Sequence, residues 1–208
     1  MADDELKALY PFLHGGSKEA ASEHAALLES VRQKSDHSLR EKQRFFADNS
    51  EALIDAARAV ADVYRNGGHM FSMGNGGSSC DAAHFAVEFQ HPVTAGCPAL
   101  AATNLCVDTA VMTAVGNDIG MAHIFARQLE AHGRAGDGLV GFSTSGNSEN
   151  LLNAYRKARE LGLTTLGFAG GDGGDALLEL LVLVVVAVQA QQFPVAAVRR
   201  VVVVVHVL

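Results

Sequence analysis

Basic residues are in deficit: 16 Lys and Arg stand against 23 Asp and Glu, a formal net charge of −7. A nucleic-acid surface needs clustered Lys and Arg to displace counterions, so this balance weighs against nucleic acid as a partner. An anionic ligand has to be held by backbone dipoles and hydroxyls instead. Cysteine is scarce too. Cys80, Cys97 and Cys106 are odd in number, show no CxxC spacing and follow no apolar leader, which argues against a disulfide framework and for a reducing, cytoplasmic setting. No uncharged apolar run reaches the roughly 18 residues of a spanning helix. The longest, at 180–188, lies between Glu179 and Gln189, so no membrane is expected. Neither a GxxxxGKS/T phosphate loop nor the dinucleotide fingerprint occurs, and nucleotide readings lose ground.

What is present is a chain of 208 residues, 49% hydrophobic, enough for one core. Residues 17–65 carry no proline or glycine, and Ala26, Leu27, Val31 and Leu39, then Leu53, Ala56, Ala57, Val60 and Val63, recur at three- and four-residue spacing. That periodicity predicts long helix with one apolar face. Asp48-Asn49-Ser50 is expected to split it in two, with Asn49 or Ser50 as the second N-cap. The apolar face packs either on a neighbouring subunit or on the chain's own sheet. Residues 1–66 thus read as an N-terminal helical segment and 67–208 as an α/β domain.

Beyond Gly67-Gly68 strands alternate with helices. Strands are expected at 69–73, 99–103, 138–143, 164–169 and 181–186, with helices at 80–90, 107–115, 119–132 and 149–161. This pattern implies right-handed crossovers and a three-layer, doubly wound parallel sheet of about five strands, flavodoxin-like in kind, with N-terminal helices. Two Gly/Ser-rich loops, 74–79 and 143–148, each follow a strand and lead into a helix. Glycine admits backbone N–H groups close to an anion, hydroxyls add donors, and the helix N-terminus contributes about half a positive charge. Such loops at the carboxyl ends of parallel strands form a cradle suited to a sugar phosphate. From Asp175 onward valine dominates, with a homopolymer at 201–205 ahead of His206. Valine favours strand where a domain of this order normally closes with a helix. Either the tail is buried on all sides or it does not faithfully record the natural chain.

His84 and Glu88, four apart after the first loop, share one helix face, with Asp81 three residues before His84. They are half of a metal site, an acid/base pair, or a solvated surface pair. The apolar neighbours Ala82, Ala83, Phe85, Ala86 and Phe89 point to a mostly buried helix and so toward function. Asp108 and Gly116-Asn117-Asp118 are further polar positions that caps and turns would also explain.

The segments 74–78 (GNGGS), 80–88 (CDAAHFAVE), 115–118 (VGND) and 143–148 (STSGNS) together resemble the sugar isomerase (SIS) domain over roughly residues 20–174. Within it they are most similar to the phosphoheptose isomerase branch, which interconverts sedoheptulose 7-phosphate and D-glycero-D-manno-heptose 7-phosphate. The STSGNS segment marks the superfamily, whereas GNGG followed by DAxHFxxE is specific to the branch. The resemblance implies substrate contacts from Asn75, Gly76, Gly77, Glu88, Asp108, Ser143, Thr144, Ser145 and Ser148. It implies a zinc ion on His84 and Glu88, Glu88 as the catalytic carboxylate, and a homotetramer. Family members complete the site with a Gln and, eight residues on, a His. His206 falls near that place as the candidate third ligand and catalytic partner, but Val198 stands eight residues before it, and Gln189, Gln191 and Gln192 are too far upstream. The family's arginine shortly after the catalytic Glu also has no counterpart in Phe89-Gln90-His91-Pro92.

The chemistry is an aldose–ketose exchange: a proton leaves C1, an enediol forms, and a proton returns at C2. One carboxylate can carry that proton while a second group moves protons between the oxygens. Glu88 suits the first task and His206 the second. The alternatives are a non-catalytic SIS-domain scaffold of the initiator-associating type and a sugar-phosphate-sensing module.

Overall fold

The computed structural model describes residues 20–170, 174–175, 182–186 and 201–202. Helix α1 (Ala20–Arg65) leads to β1 (Met70–Gly74), α2 (Gly77–Gln90), β2 (Ala102–Asn104) and α3 (Thr109–Asp118). A 3-10 turn (Met121–His123), α4 (Ile124–His132), β3 (Gly138–Ser143), α5 (Glu149–Leu161), β4 (Thr164–Gly170), β5 (Val182–Val186) and β6 (Val201–Val202) follow. The strands form one parallel sheet in the order β2-β1-β3-β4-β5-β6. The doubly wound parallel sheet expected from the alternation is therefore present, with the two-residue β6 beyond the five strands anticipated.

Alternating residues of β1, β3 and β4 feed two cores, as the period of two requires. Phe71, Met73 and Leu139 pack with Ile124, Phe125 and Leu129 of α4 and with Leu151, Leu152 and Tyr155 of α5. Met70, Val140 and Leu166 pack on the other face with Ala52, Ala56 and Val63 of α1 and Ala86 of α2. Helices on both faces are what a parallel sheet of apolar strands needs. Tyr155 is wholly buried and donates to the Leu166 carbonyl at 3.1 Å. A Cβ at Gly141 would overlap the Tyr155 hydroxyl, which is why β3 carries glycine in mid-strand. Among the described residues, no helix is long and apolar enough to cross a membrane.

Several boundaries differ from expectation. Residues 48–50 do not break the first helix. Asn49 Nδ2 donates to the Phe45 carbonyl at 2.9 Å and Ser50 Oγ donates to that of Phe46, so both side chains bond back one turn and the helix continues past them. The second strand is the three residues Ala102–Asn104 rather than 99–103. Helix α2 starts three residues earlier than expected, at Gly77, which puts Ser78 and Ser79 in its first turn. The expected 107–115 helix is Thr109–Asp118, because Asp108 is its N-cap, and 119–132 resolves into the 3-10 turn plus α4.

The chain divides into two compact units, Met1–Gln43 and Arg44–Leu208. In the first, the described residues are a length of α1 whose Leu27, Leu28, Val31 and Leu39 are all exposed. In the second, the remainder of α1 buries Phe45, Ala52, Ala56 and Val63.

Candidate active site

β1 and β3 are adjacent, with Gly74 opposite Phe142, and the chain leaves them in opposite directions: α2 covers one face and α5 the other. The loops after them therefore flank the switch point of the sheet, where ligands of such folds bind. In the first loop, Gly74 lies so close to α2 that a Cβ would overlap the Ser78 carbonyl. Gly76, at φ +54°, is the N-cap of α2, and Asn75, Gly76 and Gly77 are exposed. The turn closes through Ser78 N–H to the Asn75 carbonyl at 3.0 Å and Ser79 N–H to that of Gly76 at 3.1 Å.

The second loop is a nest built on its own hydroxyls. Ser143 Oγ accepts from Gly146 N–H at 3.0 Å and Ser145 Oγ from Asn147 N–H at 3.2 Å, with Gly146 at φ +67° making the turn. Ser148 is the N-cap of α5 but its side chain makes no capping bond. Thr144 and Ser145 are exposed. From the β4 end, Asp175 N–H donates to Asn147 Oδ1 at 2.8 Å, and a Cβ on Gly170 would overlap the Thr144 carbonyl. Short-range hydrogen bonds thus order this loop.

One residue joins the loops and was missed by sequence reasoning. Asn150, nearly buried, exchanges two hydrogen bonds with Asn75, amide to amide, each 2.9 Å. Its signal was its place in the buried stripe Asn150, Ala154, Ala158 of α5, where an amide needs a partner.

His84 Nε2 and Glu88 Oε1 are 3.3 Å apart. The expectation that this helix is mostly buried is corrected: only Ala82 and Ala86 are buried, and the side chains of His84 and Glu88 are 75% and 46% exposed. Phe85 and Phe89 turn toward α1 and the sheet, the Phe89 ring lying tilted against Tyr64 with centroids 5.2 Å apart, and this leaves the pair on the outward face. The helix also carries the pair away from the loops. At 1.5 Å per residue Glu88 lies about 16 Å along α2 from Gly77. The structure thus assembles two groups, a loop cradle and a His–Glu pair, at different heights of one helix.

Asp108 caps α3, its Oδ1 accepting from Val111 N–H at 2.9 Å. Cys106 lies against the first loop, its Sγ donating to the Gly74 carbonyl at 3.2 Å, and burial pushes its thiol pKa up. In donor type His84 and Glu88 suit zinc, which accepts imidazole nitrogen and carboxylate oxygen but wants about four ligands. Among the described residues no group of three or more such side chains converges. His206, like Val198 and the tail glutamines, lies outside the described residues. A separate cavity of about 750 Å³ is lined by apolar side chains such as Leu53, Val60, Phe85, Phe89 and Phe168, and offers little to a sugar phosphate.

The SIS domain family matches residues 35–170. A phosphoheptose isomerase of Desulfovibrio desulfuricans is 46% identical over 129 residues, covering 62% of this chain and 61% of that protein. One of Chlorobaculum parvum is 44% identical over 138 residues, covering 65% and 66%. The chain therefore spans slightly under two thirds of the length of these curated relatives. Among solved structures, phosphoheptose isomerase from Neisseria gonorrhoeae superposes with a TM-score of 0.69 at 40% identity, covering 74% of this chain and 80% of that one. The structure of a phosphoheptose isomerase from Francisella tularensis gives 0.71 at 33%, with the same coverage.

Proposed function

The chain belongs to the SIS domain family, and from that premise we propose that it is an aldose–ketose isomerase interconverting sedoheptulose 7-phosphate and D-glycero-D-manno-heptose 7-phosphate. The observation that carries this reading is the pairing of two hydroxyl- and glycine-built loops at the β1/β3 switch point with a carboxylate–imidazole pair on α2. A pure scaffold or sensor has use for the loops but none for Glu88 beside His84. Relatives named phosphoheptose isomerase at 44–46% identity support the same choice.

In this reading the phosphate sits on the 143–148 loop and the N-terminus of α5, whose dipole and N–H groups complement its charge. Ser143, Thr144, Ser145 and Ser148 offer hydroxyls, and Asn75, Gly76, Gly77 and Asp108 meet the sugar. Fixing the phosphate orients the distant reacting carbons, so binding energy spent at one end lowers the barrier at the other. Glu88 takes the proton from C1 and returns it at C2. A zinc ion on His84 and Glu88, with His206 the candidate from the tail, would polarise the substrate carbonyl and hydroxyl oxygens.

The separation along α2 bears on assembly. About 16 Å of helix between the first loop and Glu88 exceeds the length of an extended heptose phosphate chain. The reading therefore takes the cradle of one subunit to be completed by the His84–Glu88 face of another, within a homotetramer. The exposed Leu27, Leu28, Val31 and Leu39 of α1 supply apolar surface for such an assembly. Free cysteines at 80, 97 and 106 suit the cytoplasm.

The decisive experiment is incubation of the purified protein with sedoheptulose 7-phosphate in D₂O, followed by proton NMR. The expected outcome is an aldoheptose 7-phosphate, with deuterium at C2 in proportion to how far the proton held by Glu88 exchanges with solvent before it is returned. If no aldose forms from the ketose, the scaffold reading replaces this one.

A further inference from the structure

A primary amide has two N–H donors and an oxygen with two acceptor sites. In the Asn75–Asn150 pair each amide gives one N–H to the other's oxygen, both at 2.9 Å. Such a ring is symmetric, and flipping both amides together would leave it equally well bonded. A third bond breaks that symmetry. Asn150 Oδ1 also accepts from the Leu151 backbone N–H at 3.0 Å, in the first turn of α5. Because a backbone N–H can only donate, the oxygen of Asn150 is fixed toward it, and the orientation of Asn75 follows. The Asn75 oxygen is then committed to Asn150 Nδ2. Its second N–H points out of the ring, on a residue that is itself exposed.

We infer that Asn150 is a positioning residue: anchored on α5 beneath the second loop, it holds the first loop at a set distance and presents the spare N–H of Asn75 as an oriented donor to the sugar-phosphate ligand. The two loops are 75 residues apart in sequence and lead into helices that cover opposite faces of the sheet; the pairing of β1 with β3 sets their spacing as far as Gly74 and Phe142, and beyond that point the amide pair ties them directly. Asn150 is nearly buried and Asn75 is exposed, which divides the work: one amide is anchored and the other meets the ligand. The identity of that ligand rests on the proposed function, whereas the coupling of the loops does not.

The test is a double-mutant cycle of Asn75→Ala, Asn150→Ala and the double variant, in the full-length protein. Two readouts are used: hydrogen–deuterium exchange of loop amides without ligand, and calorimetric binding of sedoheptulose 7-phosphate. Loss of the amide pair should speed exchange at residues 75–79 by about fivefold or more in Asn150→Ala, an effect of one hydrogen bond's size. Each single variant should weaken binding about five- to tenfold, and the double variant no more than either single, because both remove the same oriented donor. If Asn150→Ala folds poorly, exposed Asn75→Ala still decides the matter through faster exchange at 149–152. Unchanged exchange in both segments, or a double variant whose binding loss is the product of the two singles, overturns the inference. Wild-type protein that fails to bind the heptose phosphate defeats the proposed function alone, and the exchange result then decides the coupling.

Discussion

The His84 imidazole and the Glu88 carboxylate stand 3.3 Å apart on an exposed face of α2, one helical turn from each other. An exposed pair of this kind is worth at most ~1 kcal/mol to the fold. Its worth has to be sought in chemistry. Glu88→Gln keeps size and hydrogen bonding but removes the base, and is expected to lower turnover about 10²- to 10⁴-fold. The unfolding free energy from urea titration should stay within ~0.5 kcal/mol of wild type, as for other exposed substitutions. Turnover near wild type in a well-folded Glu88→Gln protein would remove Glu88 from the reaction.

A site shared between subunits has a signature that a site within one subunit lacks. Glu88→Gln and the cradle variant Ser145→Ala with Ser148→Ala should each be strongly impaired alone. When the two are unfolded together, mixed and refolded, hybrids that pair an intact cradle with an intact Glu88 are expected to recover a sizeable fraction of activity. Each protein refolded separately provides the baseline. Activity no greater than the sum of the separate proteins would place cradle and carboxylate in the same subunit.

The two loop serines differ in a way that stability measurements can resolve. Ser143 Oγ accepts from Gly146 N–H and helps to form the nest, whereas Ser148 makes no capping bond through its side chain. Ser143→Ala is therefore expected to cost ~1 kcal/mol of stability. Ser148→Ala should cost little without ligand yet weaken heptose phosphate binding, by up to ~1.5–3 kcal/mol if its hydroxyl meets the charged phosphate. Calorimetric binding and thermal unfolding on both variants separate the effects. An unchanged dissociation constant for Ser148→Ala would move the phosphate off the α5 N-terminus.

How much of this was legible in sequence depends on the range of the forces involved. Strands at 138–143 and the helix at 149–161 could be read to the residue, because glycine, apolar alternation and amphipathic spacing agree there. The loops were equally plain, since glycine and hydroxyl clusters between strand and helix have a local cause. The helix break at 48–50 was misread because Asn49 and Ser50 are N-cap residues by type, and only back-bonding to Phe45 and Phe46 shows them inside a helix. The outward aim of His84 and Glu88 depends on where Phe85 and Phe89 find their core, a tertiary fact. Asn150 escaped notice because its partner lies 75 residues away.

His69 couples the fold to pH at the opposite end of the sheet from the loops. Its Nε2 meets the Thr103 hydroxyl at 2.8 Å, its ring stacks on Phe71 at 4.5 Å, and its backbone N–H donates to Asp137 at 2.8 Å. Burial pushes its pKa below the ordinary imidazole value; the Asp137 carboxylate opposes that shift and His132 reinforces it. In the window between the lowered folded pKa and the unfolded value of about 6.5, the unfolded chain binds the extra proton and the folded chain does not. Stability from this group is therefore complete above about pH 6.5 and is lost as pH falls through that window. Urea midpoints taken from pH 7.5 down to 5.5 should fall more steeply for wild type than for His69→Gln, which retains the backbone bond to Asp137. Parallel slopes for the two proteins would show that His69 titrates alike in the folded and unfolded chains, and the pH sensitivity would then belong to other groups.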